Sequence, residues 1–278
     1  MKLFGEMCHD YEGVAILARG GQKMVFSAYH KVFGDCVIKL YFQLNDPRSL
    51  REIQIERDMG LELIPQIFET GVVEYEQTET LYIIEEKICG TELRTLLDRG
   101  VRFSLKEIVE FLEQGLNFIC QIEKKGIIHR DIKPENIIRT TEGKIFFIDF
   151  GIARIIGESS LTKTEALIGP HTPGYAAPEQ FNNLKKEIDS RADIFSLGVV
   201  GYECITGKNP FREGATDVIE ILQKTETTTP IEFSIHGDTQ RQCVALLSTM
   251  MGKYPSRRPK TAEQALNWLI AAKPTFIY

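Results

Sequence analysis

Ile127-Ile128-His129-Arg130-Asp131-Ile132-Lys133-Pro134-Glu135-Asn136 (IIHRDIKPEN) decides how the rest of the chain is read. From His129 to Asn136 it gathers an imidazole, a guanidinium, a carboxylate, an ammonium and an amide, with apolar runs on both sides. Thirteen residues past Asn136 comes Asp149, which closes the apolar run Lys144–Asp149, KIFFID. A carboxylate can orient a hydroxyl and accept its proton. An amide oxygen and a second carboxylate suit a hard divalent cation. Together they fit metal-assisted transfer of a phosphoryl group to a hydroxyl.

The string HRDIKPEN, followed by Asp149-Phe150-Gly151, resembles the eukaryotic-type protein kinases, of the Ser/Thr-directed (Hanks) type also found in bacteria, over about Val14 to Ala271. The roles that follow are carried over from that family. The resemblance implies an α+β bilobal fold, with a small antiparallel β-sheet N-lobe bearing one helix in residues 1–86. A larger, mostly helical C-lobe is expected in 87–278, with the nucleotide in the crevice between the lobes. It implies ATP as phosphoryl donor with Mg²⁺ (or Mn²⁺), and a protein substrate with Ser or Thr. Asp131 is expected to serve the incoming hydroxyl, Lys133 to neutralise the transferring phosphate, and Asn136 and Asp149 to hold metal. Lys133 and Thr172 are marks of the Ser/Thr-directed branch.

Upstream, short segments rich in Val, Ile, Phe and Tyr read as strands near 12–18, 24–30 and 35–41. The first turn, Leu17-Ala18-Arg19-Gly20-Gly21-Gln22-Lys23-Met24-Val25, departs from the family's glycine-rich loop. Gly20 keeps the second glycine, Ala18 stands at the first and Lys23 at the third. Gly20 and Gly21 still let backbone N–H groups approach phosphate, Lys23 adds charge there, and Val25 is expected over the adenine. Cys36-Val37-Ile38-Lys39 resembles the strand that carries the phosphate-binding lysine. Lys39 lies among apolar residues, a poor place for a charge without a partner, and Val37 lines the adenine slot.

A helix is expected over Pro47–Gly60, capped by Asp46. Glu52 and Glu56 fall one turn apart on it, with Glu52 at the family's ion-pair position and Glu56 as the fallback. Strands at Ile67–Tyr75 and Thr80–Glu86 lead to the hinge, where Glu86 and Ile88 are expected to supply backbone contacts to adenine. This alignment puts Glu85 at the gatekeeper position, so two acids fall near the nucleotide. Burying both unpaired would be costly, and Lys39 or another base must serve them unless the register slips by one.

Beyond the hinge, helices are expected from Gly90 to Asp98 and from Ser104 to Lys125, the latter with a Ser104/Glu107 capping box. Ile138 and Ile148 are expected as the floor of the nucleotide site. Gly151 to Glu179 reads as an activation segment, with Ser159, Ser160, Thr162 and Thr164 as candidate phosphorylation sites facing Arg130. Thr172-Pro173-Gly174-Tyr175-Ala176-Ala177-Pro178-Glu179 resembles its end. Two residues separate Gly169 from Thr172 where the family has them adjacent. Glu179 with Arg258, and Asp193 beneath the catalytic loop, are expected as structural groups. A packing helix is expected over about 261–271.

The net charge of −6 argues against a nucleic-acid partner held through phosphate contacts. Cys8, Cys36, Cys89, Cys120, Cys204 and Cys243 form no CxxC pair, so zinc is not expected, and free thiols in a reducing cytoplasm are. No apolar run reaches the roughly 18 residues of a membrane span, and MKLFGEMCHDYEG lacks the apolar core of a signal peptide. A cytoplasmic Ser/Thr protein kinase is the expectation, with autophosphorylation of the activation segment through transient self-association. The departures in the glycine-rich loop and the two acids keep a nucleotide-binding pseudokinase or scaffold as the alternative. A small-molecule kinase of the aminoglycoside or choline type shares the Asp-Asn-Asp core but not Ala177-Pro178-Glu179 or the Asp193 helix.

Overall fold

Short runs rich in Val, Ile, Phe and Tyr set the first part of the chain. In a computed structural model that describes residues 10–20, 23–44, 47–58, 60–150, 153–155, 171–182 and 188–278, five strands form one antiparallel sheet. They are β1 (Tyr11–Arg19), β2 (Lys23–His30), β3 (Gly34–Tyr41), β4 (Ile67–Tyr75) and β5 (Thr78–Glu86), in the spatial order β1-β2-β3-β5-β4. Alternate residues point to opposite faces. Met24, Phe26, Ala28, Cys36, Ile38, Leu40, Tyr82 and Ile84 therefore share one apolar face, which Tyr11 joins. The other face carries Lys23, Lys39, Tyr41, Ile83 and Glu85, since Lys23 pairs with Tyr41, Lys39 with Ile83 and Val37 with Glu85. Helix α1 (Pro47–Asp58) adds Ile53 to the small core of Tyr41, Leu81 and Ile83 on that side.

The chain divides into two compact units, Met1–Gly60 with Ile64–Cys89, and Leu61–Leu63 with Gly90–Tyr278. The second unit is mostly helical. Its elements begin with β6 (Thr91–Glu92), α2 (Leu93–Asp98) and α3 (Leu105–Lys124). The short strands β7 (Ile127–Ile128), β8 (Ile137–Arg139), β9 (Ile145–Phe147) and β10 (Arg154–Ile155) follow. Then come α4 (Pro178–Phe181), α5 (Arg191–Thr206), α6 (Val218–Thr227), α7 (Gln242–Met250) and α8 (Ala262–Ala272). This is the α+β architecture expected.

Ser104 caps α3, accepting from Glu107 N while the Glu107 carboxylate accepts from Ser104 N at 3.0 Å. Helix α5 is buried at every position from Ala192 to Cys204, as a helix with apolar residues on all its faces is. Gly115 of α3 lets Leu197 approach, and Gly198 lets Met250 approach. An added Cβ would sit 2.7 Å from the Leu197 side chain or 2.9 Å from Met250 Cβ.

Several expected boundaries shift. The helix expected to begin at Gly90 gives way first to β6, which pairs with β8, because the backbone of 91–92 finds a strand partner. The strand expected over Lys144–Asp149 is β9 alone, and Asp149 lies two residues past its end. The helix expected to reach Gly60 ends at Asp58, and Gly60 takes φ +52°. Asp46, its expected cap, lies outside the described residues. Among those residues no helix is long and apolar enough to cross a membrane.

One ion pair ties distant parts of the second unit together. Arg258 Nη1 and Nη2 donate to Glu179 Oε1 and Oε2 at 2.6 and 2.9 Å, with both side chains buried. The remaining guanidinium hydrogens go to backbone carbonyls of Gly252, Arg191 and Lys253. Removing one member of such a pair strands a buried charge. Arg258→Met should lower the unfolding free energy by about 3–5 kcal/mol in urea denaturation. Adding Glu179→Leu should recover most of that loss, and a single-variant loss under about 1 kcal/mol would contradict the assignment.

Candidate active-site residues

Asp193, at the N-terminal turn of α5, fixes the loop that precedes Asp131. Its Oδ2 accepts from His129 N and its Oδ1 from Arg130 N, each at 2.8 Å. Arg130 takes φ +71°, a region rarely occupied by a side-chain-bearing residue. The Arg130 carbonyl also accepts from Gln180 Nε2 at 2.9 Å, so the strained residue is held from both sides. Burial pushes the Asp193 carboxyl up to about 7, and the two backbone donors act against that.

The loop then presents Asp131 into a short network. Thr172 Oγ1 donates to Asp131 Oδ1 at 2.6 Å. Lys133 Nζ reaches Asp131 Oδ2 at 2.7 Å and Thr172 Oγ1 at 3.0 Å. Asn136 Nδ2 donates to Asp131 O at 3.1 Å and Asp131 Oδ2 at 3.0 Å. With its nitrogen engaged this way, the amide oxygen is the atom Asn136 has to offer a cation. Ile148 N donates to Asn136 O at 3.1 Å, which ties the segment carrying Asp149 to that of Asn136. Asp149 is half-buried, and Ile138 lies in β8.

The Thr172 turn is braced from below. Gly174 takes φ +89°, and a Cβ there would meet Arg212 Cγ at 2.8 Å. Arg212 Nε donates to Pro173 O, and Asn209 Nδ2 to Gly174 O. Sequence reasoning missed a further network. Arg94, on α2, bonds Glu203 Oε1 at 3.0 Å and Glu135 Oε1 at 3.2 Å, and also contacts Tyr175 Oη. Tyr175 Oη donates to Glu203 Oε2 at 2.6 Å. Four segments far apart in sequence meet there, and no local pattern announces it.

In the first unit Lys39 is buried with three carboxylates. Relative exposures are 4% for Lys39, 1% for Glu52, 6% for Glu56 and 3% for Glu85. Lys39 Nζ lies 2.8 Å from Glu85 Oε2, 3.5 Å from Glu52 Oε1 and 3.6 Å from Glu56 Oε1. The Glu85 contact is the shortest of the three. Lys23 Nζ donates to Glu52 Oε1 at 2.8 Å. Lys39 thus serves both acids in question, and the strand register puts Glu85 on its face of the sheet. Burial drives the Glu56 carboxyl well above its ordinary range, with Lys39 opposing; burial likewise raises Glu85.

Gly20 N donates to Lys23 O at 2.9 Å across the hairpin turn. Val25 pairs with Lys39 across β2 and β3, and Val37 lies in β3. Glu86 N donates to Gln66 O at 2.8 Å, and Ile88 is buried. Gly21, Ser159, Ser160, Thr162 and Thr164 lie outside the described residues. Of the five described cysteines, all free, only Cys89 is exposed.

His129 is neutral and enclosed. Its Nδ1 accepts from Asp131 N at 3.3 Å, which puts the proton on Nε2. The rings of Phe118, Phe147 and Phe150 surround it, with Phe150 4.7 Å away between centroids. Burial pushes its pKa down to about 4, below the usual 6.5. The unfolded chain therefore takes up a proton between pH 6.5 and 4 that the folded chain resists. The stability tied to this residue is complete above pH 6.5 and is lost as pH falls toward 4, on the order of 3 kcal/mol. Asp193, raised by burial, has the opposite slope, so the His129 contribution is read as a difference between variants. Urea unfolding of wild type and His129→Asn across that range should show the variant losing less stability in acid. Parallel curves would rule the assignment out.

Known proteins place this geometry. The protein kinase domain model matches residues 11–269. A probable serine/threonine-protein kinase PknB of Corynebacterium glutamicum is 33% identical over 266 residues, 91% of this chain and 41% of that protein. Serine/threonine-protein kinase PknA of Mycobacterium tuberculosis strain H37Rv is 33% identical over 215 residues, 73% of this chain and 48% of that protein. PknB of Mycolicibacterium smegmatis is 31% identical over 266 residues, 91% and 41% respectively. The chain spans between two fifths and half of the length of these relatives. With nearly its whole length matched from β1 to α8, this chain belongs to the protein kinase domain family.

Proposed function

We propose that this domain transfers the γ-phosphoryl group of ATP to a Ser or Thr hydroxyl of a protein, with Mg²⁺ or Mn²⁺. One observation carries the reading. A threonine hydroxyl lies 2.6 Å from Asp131 Oδ1 while Lys133 bridges the two. A carboxylate that holds a hydroxyl beside an ammonium is arranged to orient a nucleophile and offset phosphate charge. Asp131 takes the proton from the attacking hydroxyl, and Lys133 stabilises charge on the transferring group. The names of the relatives support the Ser/Thr class.

The donor set fits magnesium. Among the described residues no cluster of three or more His, Cys, Asp or Glu could hold a metal. Magnesium asks for less, since one or two protein oxygens suffice when phosphates and water complete its shell. Asp149 and the Asn136 amide oxygen would hold it, and the ion would neutralise phosphate charge. Lys39 is assigned to the α- and β-phosphates. Gly20, Gly21, Val25, Val37, Ile138 and the backbone of Glu86 and Ile88 are assigned to the nucleotide. The first unit is read as the nucleotide-handling part and the second as the acceptor side. Autophosphorylation at Ser159, Ser160, Thr162 or Thr164 through transient self-association, ordered by Arg130, belongs to the same reading, as does a cytoplasmic site of action.

A second reading, nucleotide binding without turnover, draws on the Lys39–Glu85 pair, which is shorter than Lys39–Glu52. Labelled ATP with Mg²⁺ and a basic protein substrate separates the two. Wild type should transfer phosphate, and Asp131→Asn should lower kcat by about 10²–10⁴-fold with nucleotide affinity kept. Phosphosite mapping of both proteins reads the activation segment in the same experiment. A wild type that binds ATP but turns over no faster than Asp131→Asn would leave the second reading standing.

A further inference from the structure

Lys39 and Glu52 each have a shorter ion pair than the one they make together. Lys39 is 2.8 Å from Glu85 and Glu52 is 2.8 Å from Lys23, while Lys39 and Glu52 are 3.5 Å apart. All four groups belong to one unit. β2 supplies Lys23, β3 Lys39, β5 Glu85 and α1 Glu52. The sheet register explains why they meet. Lys23 is two positions from Val25, the cross-strand partner of Lys39, so both lysines leave the same face. Glu56, one turn past Glu52, adds a third carboxylate 3.6 Å from Lys39. Three carboxylates thus share two ammonium groups, and Lys39 and the three acids are buried, where charge pairing is worth more than at a surface.

We propose that Lys23 and Glu85 are positioning residues that decide which carboxylate Lys39 leans on. Lys23 occupies Glu52, and Glu85 takes Lys39. Removing Lys23 leaves Glu52 with Lys39 as its only cation in this set, so Lys39 must divide itself among three carboxylates. Removing the charge of Glu85 releases Lys39 toward Glu52, in competition with Lys23. Either change moves the same ammonium. The inference rests on reading Lys39 as the phosphate-binding lysine, because the position of its ammonium then sets nucleotide affinity.

The test is a double-mutant cycle of wild type, Lys23→Met, Glu85→Gln and the double variant, with Lys23→Arg as the conservative replacement. Urea unfolding without nucleotide reads the coupling. The double variant's unfolding constant should differ at least fivefold from the product of the single effects, and agreement within twofold overturns the proposal. Titration with Mg²⁺ and a fluorescent ATP analogue reads positioning. Lys23→Met should shift Kd by about 5–10-fold, while Lys23→Arg should stay within about twofold of wild type. Coupling in unfolding with unchanged Kd in every variant makes these residues merely structural and also overturns it. A wild type that binds no nucleotide sinks the proposed function instead, and the unfolding cycle then decides this inference alone.

Discussion

Asp193 has both carboxylate oxygens buried, and the donors that keep them there are the backbone N–H groups of His129 and Arg130. A buried carboxylate without such donors would cost several kcal/mol. The loop satisfies them only by turning Arg130 into the left-handed region, and that turn brings Asp131 round to face Lys133, Asn136 and Thr172. The strain at Arg130 and the placing of Asp131 are therefore one event. Helix α5, buried from Ala192 to Cys204, is the rigid body that anchors it, and close approach at Gly115 and Gly198 leaves that helix no room to shift.

The same rule of compensated burial governs the first unit, with a different balance. Asp193 is matched by fixed backbone dipoles, whereas Glu52, Glu56 and Glu85 are matched by two flexible ammonium groups. Backbone donors cannot change partners, and lysines can. The loop from His129 to Asn136 is thus set once by folding, while Lys39 has three carboxylates within reach. Burial pushes the Glu56 carboxyl well above its ordinary range, and Lys39 opposes that shift.

Local chemistry made much of this legible in the sequence. The capping box at Ser104, the short runs of Val, Ile, Phe and Tyr between Tyr11 and Tyr41 and the cluster from His129 to Asn136 are short-range patterns, and each locates its element to within a residue or two. The misplaced start at Gly90 has a long-range cause, since a two-residue strand exists only because Arg139 and Ile138 lie opposite it. Arg94 is illegible for the same reason: it sits on an unremarkable short helix, and its partners Glu135, Tyr175 and Glu203 come together only in three dimensions.

Glu85 shows how far a register can be carried. The acid looked misplaced at the end of an apolar strand, and a slip of one residue would have turned it to the opposite face. There it would lie among Phe26, Ile38 and Leu40 with no cation among them. The pairing of Glu85 with Val37 instead sends it to the face of Lys39, the lysine whose burial already demanded a partner. Each buried charge therefore accounts for the other. A lysine fixed on β3 leaves β5 one register in which its terminal acid can be buried.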